Sequence, residues 1–134
     1  MKIMLDTNVL VSMIFFSSDD TKRFRTAICD RNELVLCDYV LEELRIVTER
    51  KFFERKVDLE YFLFELPYEL VYTPRNMDFN EFPSVRDQKD TPILATAMIE
   101  GVDVFVTGDK DFLVLEVEVP EIVTMTEFMK KYHR

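Results

Sequence analysis

The alternation of short apolar runs with longer amphipathic stretches constrains the fold of this 134-residue chain most strongly. The apolar runs predict buried strands at Ile3–Leu5, Leu34–Cys37, Leu70–Tyr72, Val102–Val106 and Ile122–Val123. Strands separated by helices are joined by crossovers rather than hairpins, and they form a parallel sheet with helices on both faces. We therefore predict an α/β protein, a three-layer α/β/α sandwich with a central, mainly parallel sheet, in one domain over residues 1–134.

Capping residues and stop signals predict the helices between these strands. Asn8 is predicted to cap the first helix and Asp38 to cap the third. Pro92 is acceptable in the first turn of a helix, and Gly101 is well suited to end that helix. The predicted helices are Val9–Phe16, Asp20–Arg31, Asp38–Arg50, Asp58–Leu66, Asp90–Gly101 and one from about Thr126.

The composition excludes several kinds of active site. The chain has one histidine, His133 near its end, whereas His-dependent zinc sites and Ser-His-Asp triads need an imidazole held by the core. Two glycines are too few for a Gly-rich phosphate-binding loop. Cys29 and Cys37 lie eight positions apart, so neither a disulfide scaffold nor a Cys-based zinc site is expected. Carboxylate chemistry remains.

The acidic balance of the chain leaves two explanations open. With 26 Asp and Glu against 17 Lys and Arg, the net charge is −9, which makes non-specific binding to nucleic acid weak. A soluble acidic surface accounts for most of these charges. A cluster of carboxylates would attract phosphate only after it has bound divalent cations.

Three acidic residues are predicted to lie at the same edge of the sheet. Asp6 directly follows the first strand, and Asp109 follows the Val102–Val106 strand after a Thr-Gly turn. Asp90 begins a helix that starts from that edge. Ligands of parallel sheets bind beyond the carboxyl ends of the strands, so the three form a candidate site, although each alone could be a turn or capping residue.

Helical periodicity separates two neighbouring glutamates. Val40, Leu44 and Val47 form an apolar stripe on the third helix, and Glu43 falls on the flank of that stripe at 100° per residue. Glu42 points almost directly away from the stripe, and we predict it to be a solvated charge. Glu43 is either the fourth acid of the site or an ordinary residue at the boundary of the core.

Carboxylates gathered at one edge repel one another unless they are protonated or bound to a cation. Mg²⁺ and Mn²⁺ take oxygen ligands of this kind, polarise phosphoryl oxygens and activate water. No side chain is an obvious general base. The pattern therefore indicates a candidate Mg²⁺ or Mn²⁺ site.

Four segments resemble the motifs of the PIN-domain family and follow the order of that family. They are Met1–Val11 (MKIMLDTNVLV), Val40–Leu44 (VLEEL), Lys89–Ala97 (KDTPILATA) and Val106–Phe112 (VTGDKDF). Together they are spread over nearly the whole chain. The sequence is most similar to the VapC-like ribonucleases, which are the toxin components of toxin–antitoxin pairs.

This resemblance implies a PIN-like fold and Mg²⁺- or Mn²⁺-dependent hydrolysis of RNA phosphodiester bonds, with an antitoxin protein as partner. Matched residue by residue, the implied catalytic and metal-binding acids are Asp6, Glu43, Asp90 and Asp109. Asp111 is a further implied metal ligand, and Asn8 and Thr107 match polar positions that support the acids.

The third motif departs from the family pattern. The family often has adjacent acids there, whereas this chain has Lys89 before Asp90 and Thr91 after it. Asp90 aligns best, because Ile-Leu-Ala-Thr-Ala follows at the family's offset. Asp87 substitutes for the missing acid only if the loop that is predicted to hold it reaches the site.

Two functions other than a nuclease are also compatible with this sequence. A phosphoacceptor receiver domain also has an acidic pocket at a sheet edge, but it requires an acceptor aspartate after a third strand. The other alternative is a catalytically weak PIN-like module that binds protein or RNA.

The first half of the chain is rich in aromatic residues: Phe15, Phe16, Phe24, Phe52, Phe53, Tyr61, Phe62 and Phe64. Packing in the core explains such residues in most proteins. The alternative is an interface for a homodimer or for an antitoxin segment laid into a groove. No apolar run has the length of a membrane helix, and the N-terminal run is too short for a signal peptide, so we expect a cytoplasmic protein without membrane association.

Overall fold

Five strands and seven α-helices alternate along residues 1–133, the part of the chain that the computed structural model describes. The strands are β1 (Lys2–Leu5), β2 (Glu33–Cys37), β3 (Tyr68–Val71), β4 (Val104–Val106) and β5 (Glu121–Val123). The helices are α1 (Thr7–Phe15), α2 (Asp19–Cys29), α3 (Asp38–Lys51), α4 (Lys56–Glu65), α5 (Thr91–Ile99), α6 (Lys110–Leu113) and α7 (Met125–Tyr132). Short 3₁₀ turns occupy Phe53–Arg55 and Phe79–Glu81.

The strands form one sheet in the order β3-β2-β1-β4-β5, and every neighbouring pair is parallel. The predicted α/β fold with a parallel central sheet is thereby confirmed. The chain first builds outward from β1 to β3 and then returns to place β4 on the other side of β1. The strand order therefore reverses between β1 and β4, and the carboxyl ends of these two strands border the crevice where ligands of such sheets bind.

This order excludes the receiver-domain alternative. Flavodoxin-like folds have the order 2-1-3-4-5, whereas β2 lies here between β1 and β3. In addition, β3 is followed by Tyr72 and Thr73, so no acceptor aspartate stands at its carboxyl end.

The helices cover both faces of the sheet because parallel crossovers are right-handed. Helix α1 contacts α2, α3 and α4, and α3 contacts α4, so these four helices form one layer. The reversed direction of the β3-to-β4 crossover places α5 on the opposite face. Strands β1 and β4 are buried between the layers, and Ile3, Leu5 and Val106 are fully inaccessible to solvent. Among residues 1–133 no helix has both the length and the apolar character needed to cross a bilayer.

Two predicted caps are wrong. The first helix begins at Thr7, and a single residue, Asp6, separates it from β1. The N-cap of this helix is therefore Asp6 rather than Asn8. The third helix has Cys37 at its N-cap, because the Asp38 carboxylate instead accepts the Thr73 backbone N–H at 2.8 Å. That bond ties the start of α3 to the segment after β3, a contact that local sequence does not reveal.

Candidate functional site

Asp6 and Asp109 are brought together at the reversal of strand order by one threonine. Asp6 follows β1 and Asp109 follows β4, with Thr107 directly after β4. The Thr107 hydroxyl donates to Asp6 Oδ2 at 2.7 Å, and Thr107 Oγ1 accepts the Asp109 backbone N–H at 3.0 Å. Because Thr107 is fully buried, this chain of hydrogen bonds fixes the Asp6 carboxylate and the Asp109 backbone relative to each other.

Asn8 adds a second contact between the start of α1 and the turn after β4. Its Oδ1 accepts the Gly108 backbone N–H at 3.1 Å, which holds the first turn of α1 against the turn after β4. Thr107 and Asn8 thus both contact the corner where β1 and β4 end, although Asn8 does not cap its helix.

A cavity of about 480 Å³ gathers carboxylates from four separate segments of the chain. Asp6 comes from the end of β1, Glu43 from α3, and Asp109 from the turn after β4. Asp87 and Asp90 come from the approach to α5, where the Asp90 N–H donates to the Asp87 carbonyl oxygen at 2.9 Å. All five residues line this cavity, which we call the acidic cavity.

Burial and mutual repulsion disturb the titration of two of these acids. Asp6 is only 5% exposed. Desolvation, together with the charges of Glu43 and Asp109, raises its pKa to about 6 despite the hydrogen bonds from Thr107 and Thr7. Desolvation and then the charges of Asp6, Asp87, Glu43 and Asp109 raise the pKa of Asp90 to about 7. Such shifts are typical of sites where like charges share a low-dielectric space.

The donor atoms of the acidic cavity fit a hard divalent cation in kind. Its acids offer only oxygen ligands, which Mg²⁺ and Mn²⁺ prefer. Thr7 also lines the cavity, and its buried hydroxyl has no hydrogen-bond partner within residues 1–133. Burying a hydroxyl without a partner is costly, so this oxygen is an unused polar group next to Asp6.

The acids are not in ligating positions as they stand. Within the described residues no group of three or more His, Cys, Asp or Glu side chains is arranged so that it could hold a metal ion. Glu43 lines the cavity and is exposed, so its side chain is free to change rotamer. The cavity thus fits a cation in chemistry and location, and binding requires the carboxylates to converge.

Asp111 is placed differently from the other predicted acids. It is not among the residues that line the acidic cavity. Its backbone N–H donates to Asp109 Oδ1 at 2.9 Å, and its carboxylate lies 3.9 Å from Arg86 Nη1. The contribution of Asp111 here is to orient Asp109 through its backbone.

Six residues of the cavity lining were not predicted as part of the site: Thr7, Val11, Ser12, Phe16, Val47 and Lys51. A signal for Lys51 was present, because Glu43, Val47 and Lys51 follow at four-residue spacing on one face of α3. Asn8, Ser12 and Phe16 repeat that spacing along α1. For Thr7, nothing in the sequence indicates whether its hydroxyl has a hydrogen-bond partner.

Known proteins resemble this chain in sequence motif and in fold. A family model described as PIN domain matches residues 2–111. The fold is similar to that of a chain in the crystal structure of VapBC2 from Rickettsia felis bound to a DNA fragment from their promoter, with a TM-score of 0.74 and 21% identity over 92% of this chain and 97% of that chain. No protein of curated function matches the chain.

Proposed function

The chain belongs to the PIN domain family, and from this premise we propose that residues 1–134 are a single nuclease domain that hydrolyses RNA phosphodiester bonds with Mg²⁺ or Mn²⁺. We further propose that it is the toxin half of a toxin–antitoxin pair. The observation that carries the proposal is the acidic cavity, in which five carboxylates from four segments meet at the reversal of strand order.

The proposed roles follow from the placement of the side chains. Asp6, Glu43, Asp90 and Asp109 would hold the cation, with Asp87 close enough to Asp90 to add to the negative potential. Thr107 and Asn8 keep Asp6 and Asp109 at one corner. A bound divalent cation supplies Lewis acidity at a phosphoryl oxygen and makes water a stronger acid.

The test of this function is the metal dependence of RNA cleavage. We expect the purified protein to cleave synthetic single-stranded RNA with Mn²⁺ or Mg²⁺, and not with Ca²⁺ alone or with excess EDTA. The physical reason is that the larger Ca²⁺ prefers more ligands at longer distances, whereas Mg²⁺ requires a compact octahedral set. Cleavage that persists in EDTA would count against the proposal.

A catalytically weak module that binds RNA or protein is the second candidate. It is favoured by the finding that, within residues 1–133, the acids are not arranged to hold an ion. The two candidates differ in one measurement. A weak module binds RNA equally with and without Mn²⁺ and releases no shortened product after long incubation, whereas a nuclease releases product at a rate that rises with Mn²⁺ concentration.

We propose that an antitoxin partner binds a second groove, whose lining shares no residue with the acidic cavity. This groove of about 460 Å³ lies between α1, α2 and α4. It is lined by apolar residues such as Ile14 and Phe62, by the cations Lys22, Arg25 and Arg55, and by the acids Asp58 and Glu65. Arg55 pairs with Asp58, whereas Lys22 and Arg25 form no ion pair within residues 1–133. An apolar groove with these two cations suits an amphipathic segment that carries acidic residues.

A homodimer is proposed for the exposed apolar face of α4. The aromatic residues of the first half divide between two environments: Phe15, Phe24 and Phe62 are buried, whereas Phe53, Tyr61 and Phe64 are exposed. On α4, Phe64 is 89% exposed and Val57 is 78% exposed. Exposed apolar groups at helical spacing are favoured at protein interfaces.

Charge on this face is expected to abolish dimerisation. A double change, Val57→Glu with Phe64→Glu, should convert a dimer into a monomer, because it places two carboxylates in an interface of about 1,200–2,000 Å² total area. Light scattering over a concentration series measures the oligomer. A wild-type protein that is monomeric at high micromolar concentration would contradict the prediction, and Tyr72→Glu, a change at an exposed residue off α4, is the control that should stay dimeric.

A further inference from the structure

Two helical stripes extend the acidic cavity away from its carboxylates. Asn8, Ser12 and Phe16 follow one another along α1 and its C-cap, and Glu43, Val47 and Lys51 along α3. Eight helical residues rise about 12 Å. The cavity therefore has an acidic end at Asp6 and a second end, formed by Phe16 and Lys51, about two helical turns away.

Phe16 presents an aromatic ring to this second end. It is 63% exposed, and its position is supported by an edge-to-face contact with Phe52 at 5.8 Å and 83°. Phe52 in turn stacks on Phe15 at 4.2 Å between ring centroids. A ring that is held from behind and open to solvent in front is a platform on which a nucleic-acid base can stack.

Lys51 is the single cation among the described residues that line the acidic cavity. It forms no ion pair within residues 1–133, whereas Arg45 on the same helix pairs with Glu60. An ammonium group without a carboxylate partner and an exposed ring in the lining of one cavity match the alternation of phosphate and base in a nucleic-acid strand. The five acids repel a phosphate from the other end unless a cation is bound there.

From these observations, and resting on the proposed nuclease function, we propose that the second end is a binding subsite for single-stranded RNA, with one base stacked on Phe16 and a neighbouring phosphate bound by Lys51. The bases of a duplex are already stacked on each other and paired, so only an unpaired strand offers a base face to Phe16. The subsite thus holds the strand beside the reacting phosphate and selects single-stranded substrates.

The test is equilibrium binding of a short fluorescein-labelled RNA, measured by anisotropy with Asp6→Asn protein so that the RNA stays intact. Phe16→Leu should raise Kd about tenfold, as expected for the loss of one base–aromatic stack, and Phe16→Tyr should restore tight binding. Lys51→Ala should reduce the slope of log Kd against log salt concentration by about 0.7, the value for one phosphate contact on a single strand. In the active protein the loss of Phe16 should appear in KM.

Two variants serve as matched controls. Tyr72→Leu removes an exposed ring outside the cavity, and Arg45→Ala removes a cation from another side of α3; both should leave Kd and the salt slope as in the parent. The inference is overturned if Phe16→Leu and Lys51→Ala bind RNA like the parent, or if an RNA duplex binds as tightly as the single strand. It is also overturned if these variants lose binding to a protein partner and not to RNA.

The binding experiment also separates this inference from the proposed function. If the protein cleaves RNA and Phe16→Leu has an unchanged KM, the subsite is refuted while the nuclease stands. If no divalent cation supports cleavage and RNA binding still depends on Phe16 and Lys51, the nuclease is refuted while the subsite stands.

Discussion

Asp6→Asn is expected to lower the rate of Mn²⁺-dependent RNA cleavage by about a thousandfold. The proposed cation site contributes several kcal/mol of transition-state stabilisation, and each loss of about 1.4 kcal/mol costs a factor of ten. The amide keeps the shape of the side chain and can still accept the Thr7 N–H, which lies 2.8 Å from Asp6 Oδ1. Asp90→Asn should have an effect of similar size, because Asp90 interacts electrostatically with Asp6 across the cavity.

Changes at Thr107, which positions two of the acids, should lower the cleavage rate less than changes at the acids themselves. Thr107→Val removes the hydroxyl that links Asp6 to Asp109, and we expect a loss of about 10- to 100-fold, as for other residues that orient metal ligands. Thr107→Ser keeps the hydroxyl and should recover most of the activity. Glu42→Gln is the matched control, because Glu42 neighbours Glu43 on α3 and does not line the acidic cavity. Initial rates on one RNA substrate give the ranking, and equal rates for Asp6→Asn and Glu42→Gln would refute it.

Without metal, Asp6→Asn is expected to raise the melting temperature at pH 8 by several degrees. The folded-state pKa of Asp6 is raised from 3.8 to about 6, so between these values the folded protein keeps a proton that the unfolded chain has lost. The free energy of unfolding therefore falls as pH rises from about 4 to 6, and the deficit is complete above that window. Two pKa units correspond to about 3 kcal/mol, and about 1 kcal/mol shifts the melting temperature by a few degrees in a domain of this size.

Asp90 extends this window to higher pH. Its folded-state pKa is about 7. The free energy of unfolding therefore also falls, through Asp90, as pH rises from about 4 to 7, in the same direction as for Asp6. Below pH 4 both acids are protonated in both states, and the variants should melt like the wild type. Thermal melts in EDTA at pH 4 and pH 8 test the sign. A lower melting temperature for Asp6→Asn at pH 8 would show that its hydrogen bonds outweigh the repulsion.

Mn²⁺ should reverse the order of stability. A cation that binds only the folded protein stabilises it by about 2.7 kcal/mol at a hundred times its Kd, so the wild type should gain melting temperature on addition of Mn²⁺. Asp6→Asn and Asp90→Asn should gain little, whereas Glu42→Gln should respond like the wild type. A full response in both Asn variants would mean that these acids do not share one cation.

The order of the elements and the place of two acids were predictable from local sequence. Buried strands have short runs of apolar residues regardless of their neighbours, so β1 and β4 are visible in the sequence, and the residues after them must lie at the same edge of a parallel sheet. This reasoning placed Asp6 and Asp109 correctly at that edge. Helical periodicity likewise distinguished Glu43, which lines the acidic cavity, from Glu42.

Contacts between distant segments were decided only by the tertiary structure. The position of Asp87 depends on how a loop folds back before α5, and the cap of α3 is lost because Asp38 bonds to Thr73, 35 residues away. The aromatic residues show the same limit: Phe15 and Phe16 are neighbours in sequence, yet one is buried and the other is 63% exposed. Local periodicity shows which residues share a face, but the partner that covers that face comes from another part of the chain. By itself, the sequence therefore determined the alternating α/β elements and the strand-end acids, while packing decided which side chains line the cavity, because burial depends on residues far apart in the chain.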